Sequence, residues 1–384
     1  MSRQLATVTR IKRIEAIPGA DVIAKAVMTT NSWQVVVKKS DLNEGELAVY
    51  FEVDSFIPRD NNGETDSRFE FLAKSSAKKM GEVDGYRLRS VKLRNTLSQG
   101  LLLPVSLFPE ITDPKEGDDV TDILGILLYE PPLPPMQNSM PRTALRTFPR
   151  FIEKTDQIRV QSIKPEEWTE LRTHHYEVTV KMDGSSGSFF YNKGEFGLCS
   201  RNCQLIDLSG TGIFGKICRW FYNLFNRHHK KTLGFNRSVY SDMAAKYDVE
   251  QKLRDYCVQQ GRNLALQGEI CGEGIQSNRE KIPNREQQFF VFDVFDIDTQ
   301  KYISGEERRS LAAQFDMLHV PVIAEDYCID GNLAAEQIVP HLLEFADGPG
   351  LYNDCREGLV FKSLSDPNVH FKVISNKYLL KYGL

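Results

Sequence analysis

The chain has 384 residues, of which 26% are charged and 41% are hydrophobic, and its formal net charge is −4. This length suits two or three domains, and the charge excludes attraction of nucleic acid over the whole surface, so that such contacts must come from local basic patches. Seven scattered cysteines, the lack of a signal peptide in residues 1–14 and the lack of a long apolar run predict a soluble, cytoplasmic protein with no membrane span.

Residues 1–128 are predicted to be all-β. Short alternating apolar stretches recur there, such as residues 33–37 (WQVVV) and 47–51 (LAVYF), and turn-forming residues separate them. A small closed barrel fits this spacing, and the oligonucleotide-binding (OB) fold is the commonest barrel of this size that contacts nucleic acid. We therefore expect an OB-like, nucleic-acid-binding domain over residues 1–128.

Residues 86–94 (YRLRSVKLR) alternate basic and mostly apolar side chains. On a single strand, Arg87 and Arg89 would lie on one face. That face suits the phosphate backbone of a nucleic acid. It suits equally well a solvated edge strand whose charges prevent aggregation, so both interpretations stay open.

Residues 129–147 begin with YEPPLPP, and consecutive prolines favour an extended conformation, so this segment is predicted to be a stiff linker. Residues 148–384 mix strand patterns with helix patterns, and the clearest helix is predicted over residues 241–259. The chain is thus expected to be α+β, with the OB-like barrel followed by a domain of sheets and flanking helices.

Residues 208–240 form a basic aromatic insert in this second domain. The insert contains no acidic residue but six lysines and arginines, and aromatic side chains recur in it at helical spacing. Three interpretations stay open: a lid that packs on its own domain, a surface that contacts RNA, or a helix that lies on a membrane surface.

Lys181 is the first candidate for chemistry. Apolar residues alternate over positions 176–180 and end at Lys181, which is followed by Met182-Asp183-Gly184 and by segment 185–188 (SSGS), predicted to be loose. A lysine at a strand end and before a glycine turn can be presented at the floor of a pocket as a nucleophile. Since an amine attacks only when it is neutral, such a site must lower the pKa of the lysine from its usual value of about 10.4.

Further apolar strands follow in order, each with a charged residue or an aromatic ring at its edge. They are residues 266–272 (LQGEICG), 289–294 (FFVFDV), 357–362 (EGLVFK) and 371–373 (FKV), and segment 200–202 (SRN) precedes them. Together with 181–184 (KMDG), this set resembles motifs I, Ia, III, IIIa, IV and V of the covalent nucleotidyltransferases, the superfamily of ATP-dependent ligases and capping enzymes. The resemblance implies that ATP is the cosubstrate and that Lys181 attacks its α-phosphorus.

The same resemblance implies which side chains hold the nucleoside. Asp183 and Gly184 belong to the lysine motif and are expected to bind the nucleotide. Glu269 is suited to accept hydrogen bonds from the ribose hydroxyls, as carboxylates do. Arg201 is expected to reach either the ribose or the phosphate of the incoming strand, and the sequence leaves this choice open.

The base, the phosphates and the metal need other side chains. Phe292 is expected to stack on adenine, with Phe290 on the same strand face as the close alternative. Lys362 and Lys372 can offer positive charge to the α-phosphate, and Glu357 is expected to hold Mg²⁺ (or Mn²⁺), directly or through water molecules. The predicted catalytic residues are Lys181, Glu357 and Lys372.

Within the superfamily, the chain resembles the RNA ligases typified by those of Naegleria and Deinococcus over nearly its whole length. The similar segments are residues 92–101, 148–156 with Arg159 and Gln161, 266–276 and 371–381. This resemblance implies an N-terminal OB domain joined to a nucleotidyltransferase domain of antiparallel sheets over residues 148–384, without the OB domain that follows motif V in typical DNA ligases. It also implies three steps: adenylylation of the lysine, transfer of AMP to a 5′-phosphate, and sealing by a 3′-hydroxyl.

One position departs from the pattern of these ligases. Related RNA ligases often carry a second lysine two residues after the motif V lysine, and this chain has Ile374 there. Either Lys377 or Lys362 could supply the missing positive charge. The assignment of Lys372 is therefore less secure than that of Lys181.

The leading hypothesis is an ATP-dependent RNA ligase that acts in RNA repair on nicked or broken RNA with a 5′-phosphate and a 3′-hydroxyl. One alternative is the same covalent chemistry with another substrate, either as a DNA ligase or as a GTP-using enzyme of the capping type. A second alternative is a non-catalytic RNA-binding protein. Nothing in the sequence indicates an obligate protein partner.

Overall fold

The computed structural model describes residues 3–61, 64–130, 143–207 and 238–383. The predicted basic aromatic insert lies outside the described residues except for its last three positions, and so does most of the predicted linker over residues 129–147. Within the described ranges, the helices are too short or too polar to cross a membrane.

The N-terminal part of the chain consists of short strands with 3₁₀ turns and one short helix, α1 (Ala73–Ser76). In chain order the strands are β1 (Ala6–Ala16), β2 (Ile23–Met28), β3 (Gln34–Lys38), β4 (Leu47–Phe51), β5 (Ser55–Pro58), β6 (Asp60–Asn61), β7 (Glu64–Thr65), β8 (Ala77–Met80), β9 (Val83–Arg87), β10 (Ser90–Leu93), β11 (Thr96–Gln99), β12 (Leu101–Pro104) and β13 (Leu127–Leu128). They form an antiparallel sheet in the order β12-β4-β1-β2-β3, a second antiparallel sheet in the order β13-β5-β9-β8, and the hairpins β6-β7 and β10-β11.

Strand β1 takes part in two ladders of the five-stranded sheet. Residues 6–10 pair with β4, and residues 11–16 pair with β2 after an irregularity in register that begins at Ile11. A strand that changes partner at a bulge is a common device for bending a sheet toward a barrel. The interior is apolar, and Val49 and Phe51 of β4 are fully buried there.

The burial pattern agrees with the expectation that Arg87 and Arg89 share one face. Tyr86 and Leu88 are buried, whereas Arg87 is half-buried and Arg89 is exposed, and Leu88 continues the pairing of β9 with β5 through its hydrogen bonds to Ser55 and Asp54. The guanidinium of Arg87 donates to Asp54 at 2.8 Å and lies 4.5 Å from the centre of the Tyr129 ring, whereas Arg89 is exposed. The charge of Arg87 is therefore paired within the N-terminal domain, where its contacts stabilise the local packing.

The C-terminal part of the chain combines longer strands with helices. Its strands are β14 (Thr143–Thr147), β15 (Ile158–Arg159), β16 (His175–Lys181), β17 (Ser185–Asn192), β18 (Glu195–Ser200), β19 (Cys203–Asp207), β20 (Leu264–Gly272), β21 (Gln287–Asp296), β22 (Lys301–Tyr302), β23 (Leu318–His319), β24 (Val322–Cys328), β25 (Gly358–Ser363) and β26 (His370–Ile374). Its helices are α2 (Trp168–Leu171), α3 (Val239–Lys246), α4 (Val249–Gln260), α5 (Gly305–Gln314), α6 (Ala335–Ala346) and α7 (Asn376–Tyr382).

Two sheets organise this part of the chain. The larger sheet has the order β14-β19-β18-β17-β20-β21-β22, with β23 beside β21, and the smaller has the order β15-β26-β25-β16-β24. All neighbours are antiparallel except the pairs β21-β23 and β15-β26. This confirms the predicted α+β architecture of antiparallel sheets with flanking helices.

The helix predicted over residues 241–259 is in fact two helices, α3 and α4. Asp248 lies between them with a φ angle of 52°, in the left-handed region, which a continuing α-helix cannot include. The predicted apolar stripe is present nevertheless, because Met243, Val249 and Leu253 are all buried in the core of the larger sheet.

The N-terminal region packs against the smaller sheet next to β26. The guanidinium of Arg159 in β15 lies 5.6 Å from the centre of the Trp33 ring. Leu97 of the β10-β11 hairpin packs with Ile374 at the end of β26 and with Leu379 of α7. The barrel thus contacts the strands that carry several candidate site residues.

Candidate active site

Lys181 lies where the chain passes from the smaller sheet to the larger one. It is the last residue of β16, and Met182-Asp183-Gly184 lead directly into β17. Segment 185–188, expected to be loose, is instead the beginning of β17, and Ser186 is paired there with Glu269 of β20. The prediction failed because ladder pairing on both sides of β17 overrides the weak strand propensity of serine and glycine.

Gly184 is required by close packing. A β-carbon at this position would lie 2.2 Å from the carbonyl oxygen of Ile270 and 2.9 Å from the sulfur of Cys271. The short approach lets the backbone N–H of Gly184 donate to the carboxylate of Glu269. The glycine therefore joins the loop after Lys181 to the strand that carries this carboxylate.

Asp183 is held by three neighbours. Its carboxylate accepts hydrogen bonds from Arg279 at 2.7 Å and from the hydroxyl of Tyr378 at 2.5 Å, and its backbone N–H donates to Glu280 at 2.8 Å. These contacts fix the conformation of the loop that follows Lys181.

Glu357 is the direct partner of Lys181. Lys181 lies opposite Gly358 in the β16-β25 ladder, so the preceding residue, Glu357, stands beside the lysine, and Nζ donates to Oε2 at 2.7 Å. Further carboxylates interact electrostatically with this pair. We call the four carboxylates around Lys181 the acidic cluster: Asp183, Glu269, Glu280 and Glu357.

The three glutamates of the acidic cluster are hard to ionise together. Burial raises the pKa of Glu269 to about 8, with Lys181 opposing and Glu357 adding to the shift. Burial likewise raises the pKa of Glu280 to about 7, and the pKa of Glu357 is raised by burial despite Lys181. Because Arg279 is paired with Asp183, Lys181 alone faces the three glutamates and leaves them short of positive charge.

The expectation that the site lowers the pKa of Lys181 is wrong for the chain by itself. Burial acts to lower the pKa of this lysine, but the charges of Glu357 and Glu269 outweigh burial and raise it. Opposite charges close to an amine stabilise its protonated form. Deprotonation of Lys181 consequently requires that the negative charge around it be compensated.

A second group of charged residues faces the same lysine. Burial, together with the positive charges of Lys181 and Arg159, lowers the pKa of Lys372 to about 7. Arg159 is opposite Lys372 in the β15-β26 ladder, and its Nη1 is buried without a hydrogen-bond partner in the described residues. Arg201 adds positive charge, although Asp156 accepts from its Nη2 at 2.5 Å. We call this group the basic cluster: Arg159, Arg201 and Lys372.

The two other lysines considered for the phosphate charge, Lys362 and Lys377, already have partners. Nζ of Lys362 donates to the carbonyl oxygen of Phe292 at 2.6 Å and to Oδ1 of Asp293 at 2.5 Å, and burial lowers the pKa of Lys362 to about 8. Lys377 is exposed and forms an ion pair with Asp347 at 3.0 Å. Lys362 thus ties the two sheets together at the cavity wall, whereas Lys377 is a surface residue.

A cavity of about 360 Å³ brings most predicted site residues together, a volume within the range of small-molecule sites. Its walls come from both sheets and from the lysine loop. The predicted residues in its lining are Lys181, Asp183, Gly184, Arg201, Glu269, Phe292, Glu357, Lys362 and Lys372.

The structure distinguishes Phe292 from Phe290. The β20-β21 ladder pairs Gln267 with Asp293 and Gly268 with Val291, so Phe292 is the extra residue of a bulge. Bulges near active sites redirect a side chain. Phe292 accordingly lines the cavity, whereas Phe290 is 1% exposed and packs in the core.

Several residues around the cavity were missed by sequence reasoning. Thr155 and Gln276 line it and fall within segments that resemble the RNA ligases, so the signal was present but carried no assigned role. Tyr240 also lines it, at the edge of the insert. Glu280 is 1% exposed and belongs to none of the motifs, and only the fold brings it to the acidic cluster.

Comparisons with known proteins agree with this geometry. A family model described as an OB-fold domain matches residues 5–105, and one described as RNA ligase matches residues 174–379. No protein with a curated description matches the chain.

Solved structures of Naegleria gruberi RNA ligase are similar to the whole chain. A mutant without ligand has a TM-score of 0.72 and 37% identity, covering 99% of this chain and 98% of the relative. A mutant with AMP and Mn has the same TM-score and identity and covers 99% of both chains. A mutant with ATP and Mn has a TM-score of 0.71 and 37% identity and covers 98% of both chains. The OB fold predicted for the N-terminal region is confirmed, and the chain belongs to the RNA ligase family.

Proposed function

We propose that this chain is an ATP-dependent RNA ligase that joins a 3′-hydroxyl to a 5′-phosphate in RNA repair. The observation that carries the proposal is Lys181 at the end of β16, bonded to Glu357 at 2.7 Å and sharing a cavity with Lys372, in a chain of the RNA ligase family. The relatives solved with AMP or ATP and Mn support the choice of nucleotide and of divalent metal.

The acidic cluster is suited to a divalent metal ion. Mg²⁺ and Mn²⁺ prefer oxygen ligands, and the raised pKa values of Glu269, Glu280 and Glu357 indicate a site with too little positive charge. We assign the metal to Glu357, directly or through water molecules. When bound, the metal supplies positive charge that neutralises phosphate oxygens.

The first step needs a neutral amine at Lys181. Once the charge of Glu357 is compensated, burial dominates and the pKa of Lys181 falls. Nζ then attacks the α-phosphorus of ATP, so that a P–N bond forms and the bond to pyrophosphate breaks. Lys372 lines the cavity with Lys181 and is paired with Arg159, so we assign these two cations to the phosphate charge, and an adjacent phosphate favours the protonated form of Lys372.

Other lining residues are proposed to hold the nucleoside. Phe292 offers its ring to adenine, and Glu269 offers its carboxylate to the ribose hydroxyls. Gly184 permits the close approach of the lysine loop, and Asp183 fixes that loop. Arg201, at the exposed mouth of the cavity, is placed to meet either the ribose or the phosphate of the RNA.

Two further steps complete the proposed reaction. The 5′-phosphate of the RNA takes AMP from the lysine, which breaks the P–N bond and restores the amine. The 3′-hydroxyl then attacks the adenylylated 5′-phosphate, forming the phosphodiester and releasing AMP. The substrate is a nicked or broken RNA. The described cysteines are free thiols, which fits the reducing cytoplasm that we propose as the location.

The proposal is tested by strand joining with the wild-type chain and Lys181→Arg, which keeps a positive charge. The substrates are 5′-labelled strands with ribose or deoxyribose at the acceptor 3′ end, single-stranded or annealed to a splint, with ATP or GTP and with Mg²⁺ or Mn²⁺. We expect the label to become resistant to phosphatase for RNA acceptors with ATP and metal, and Lys181→Arg to abolish joining.

Other results would reassign the protein. Joining confined to deoxyribose acceptors would identify a DNA ligase, and a requirement for GTP would point to capping-type chemistry. Salt-sensitive RNA binding without joining under any of these conditions would contradict the proposal and support a non-catalytic RNA-binding protein.

A further inference from the structure

Three side chains with metal-ligating atoms meet at the end of β16 opposite to Lys181. They are His175 at the start of β16, and Asp326 and Cys328 near the end of β24. Their ligating nitrogen, oxygen and sulfur atoms all lie within 4.8 Å of one another, and all three residues are exposed. None of them belongs to the cavity around Lys181.

The strand ladder brings these three residues together. His175 is paired with Cys328 across the β16-β24 ladder, and β24 is the edge strand of the smaller sheet. The β16-β24 ladder is irregular next to Asp326, yet its Oδ1 lies 4.0 Å from Sγ of Cys328 and 2.6 Å from Nδ1 of His175, so all three side chains are on one side of the sheet. The backbone thus holds the three ligands on one side of the sheet without help from a mobile loop.

The carboxylate and the sulfur lie on different sides of the imidazole. Nδ1 of His175 is 2.6 Å from Oδ1 of Asp326, and Sγ of Cys328 is 3.2 Å from Nδ1 and 3.6 Å from Nε2, so the sulfur lies over the ring. In a catalytic triad, the carboxylate and the nucleophile contact opposite nitrogens of the ring. The sulfur does not take that position here, and the three ligating atoms are close enough to bind one ion.

The separations of the three atoms scatter around those of a tetrahedral zinc site. With Zn–N and Zn–O bonds near 2.0 Å and Zn–S bonds near 2.3 Å, tetrahedral ligand atoms are about 3.3–3.6 Å apart. The observed separations are 2.6 Å for N and O, 3.2 Å for N and S, and 4.0 Å for O and S. Metal binding requires the Cys328 side chain to rotate toward the lone-pair side of Nδ1, and the exposure of all three groups leaves room for this.

We propose that His175, Asp326 and Cys328 form a Zn²⁺ site with a water molecule as the fourth ligand. Thiolate and imidazole ligands favour zinc over magnesium, which prefers oxygen. Binding releases the thiol proton of Cys328 to solvent and leaves the neutral imidazole of His175 with its proton on Nε2, so that Nδ1 and the Asp326 carboxylate exchange their hydrogen bond for bonds to the metal. The ion clips edge strand β24 to β16, the strand that carries Lys181 at its other end.

Cobalt absorption tests this site without reference to ligation activity. The full chain is reduced, freed of metal with a chelator and titrated with Co²⁺, whose tetrahedral thiolate complexes absorb in the near ultraviolet and the visible. We expect both absorptions to reach a plateau at one equivalent and to disappear when Zn²⁺ is added. Oxygen ligands around Lys181 give no thiolate absorption, so the two metal sites are separable.

Matched variants locate the ligands. Cys328→Ser should abolish the thiolate absorption, Cys355→Ser should retain it as the control at another cysteine that is not buried, and His175→Ala should weaken Co²⁺ binding by at least about tenfold. Absence of thiolate absorption from the wild-type chain, or its survival in Cys328→Ser, would overturn the proposal. Asp330→Asn, at an exposed carboxylate near the end of β24 that is not a proposed ligand, should leave the titration unchanged.

Discussion

The acidic cluster and the basic cluster both lie near Lys181. The acidic cluster lacks positive charge, and the basic cluster lacks negative charge. In the acidic cluster, burial raises the pKa values of Glu269, Glu280 and Glu357, and the charge of Lys181 does not cancel this effect. In the basic cluster, the pKa of Lys372 is lowered to about 7 because burial and neighbouring cations disfavour its charged form. Each cluster is thus poised for a ligand of the opposite charge.

The opposite charges of the two clusters indicate which ligand fits the cavity. A metal ion alone would satisfy the acidic cluster and add to the repulsion in the basic one, and a phosphate alone would do the reverse. A nucleoside triphosphate with a bound divalent metal balances the charge of both clusters. Removing charge from one cluster should therefore affect catalysis differently from removing charge from the other.

The largest effect in this comparison is expected for Glu357→Gln. This change removes the carboxylate bonded to Lys181 and the proposed metal ligand, so we expect transfer of AMP to the protein to fall by about 10²–10³-fold. It also removes the main influence that raises the pKa of Lys181. Transfer of label from α-labelled ATP at several metal concentrations measures the loss, and exposed Glu82→Gln is the control. Equal AMP transfer by Glu357→Gln and Glu82→Gln would contradict the role assigned to the acidic cluster.

Lys372→Met should separate catalysis from stability. We expect AMP transfer to fall by about 10²-fold because phosphate charge loses its partner. Since the folded chain disfavours the charged form of Lys372, the variant should also gain about 1 kcal/mol, or a Tm rise of about 3 °C, near pH 7. Lys377→Met is the matched control, because Lys377 is exposed and paired with Asp347. If Lys377→Met lowered AMP transfer as much as Lys372→Met, Lys377 would be the residue that supplies the second positive charge of motif V.

Phe292→Leu should have a smaller and more selective effect. Loss of a ring that stacks on the base should raise the KM for ATP by about tenfold, since stacking contributes about 1–3 kcal/mol per base. Phe290→Leu is the matched control and should lower Tm with little change in KM, because Phe290 is buried in the core. Steady-state kinetics and thermal unfolding of both variants check this, and a reversed pattern would assign the stacking role to Phe290.

The smallest effect expected is a dependence of stability on pH. The pKa of Glu269 is raised to about 8 in the folded chain from about 4.5 unfolded, so the stability that its protonated form contributes is lost as pH rises between these values. We expect Tm of the metal-free chain to fall by about 4 °C from pH 5 to pH 8. Glu269→Gln should flatten this slope, and exposed Glu273→Gln should not. A steeper slope in Glu269→Gln would contradict the assigned deficit of the acidic cluster.

The resemblance of the strand motifs to those of the covalent nucleotidyltransferases predicted which side chains share the cavity. Lys181 and Glu357 are 176 positions apart, yet each stands at an edge of its own strand, and pairing of those strands brings them into contact. The strand positions of Glu269 and Lys372 are fixed in the same way. Most of the site was therefore predicted from the family resemblance, and the strand ladders show how the fold brings these residues together.

What the sequence could not provide depends on long-range geometry. The pKa of Lys181 is a sum over charges from distant segments, including Glu280, which no motif marks. The choice between Phe290 and Phe292 depends on a bulge whose register is set by β20. His175 and Cys328 are 153 positions apart and form no spacing pattern that indicates a metal site.

The central claim, that Lys181 receives AMP, is tested most directly by mass spectrometry of the chain after incubation with ATP and Mg²⁺. Peptide mapping should find one AMP per chain, joined to the side chain of Lys181 through a P–N bond that acid breaks. AMP on a different residue, or an unmodified chain under conditions in which strands are joined, would contradict the account.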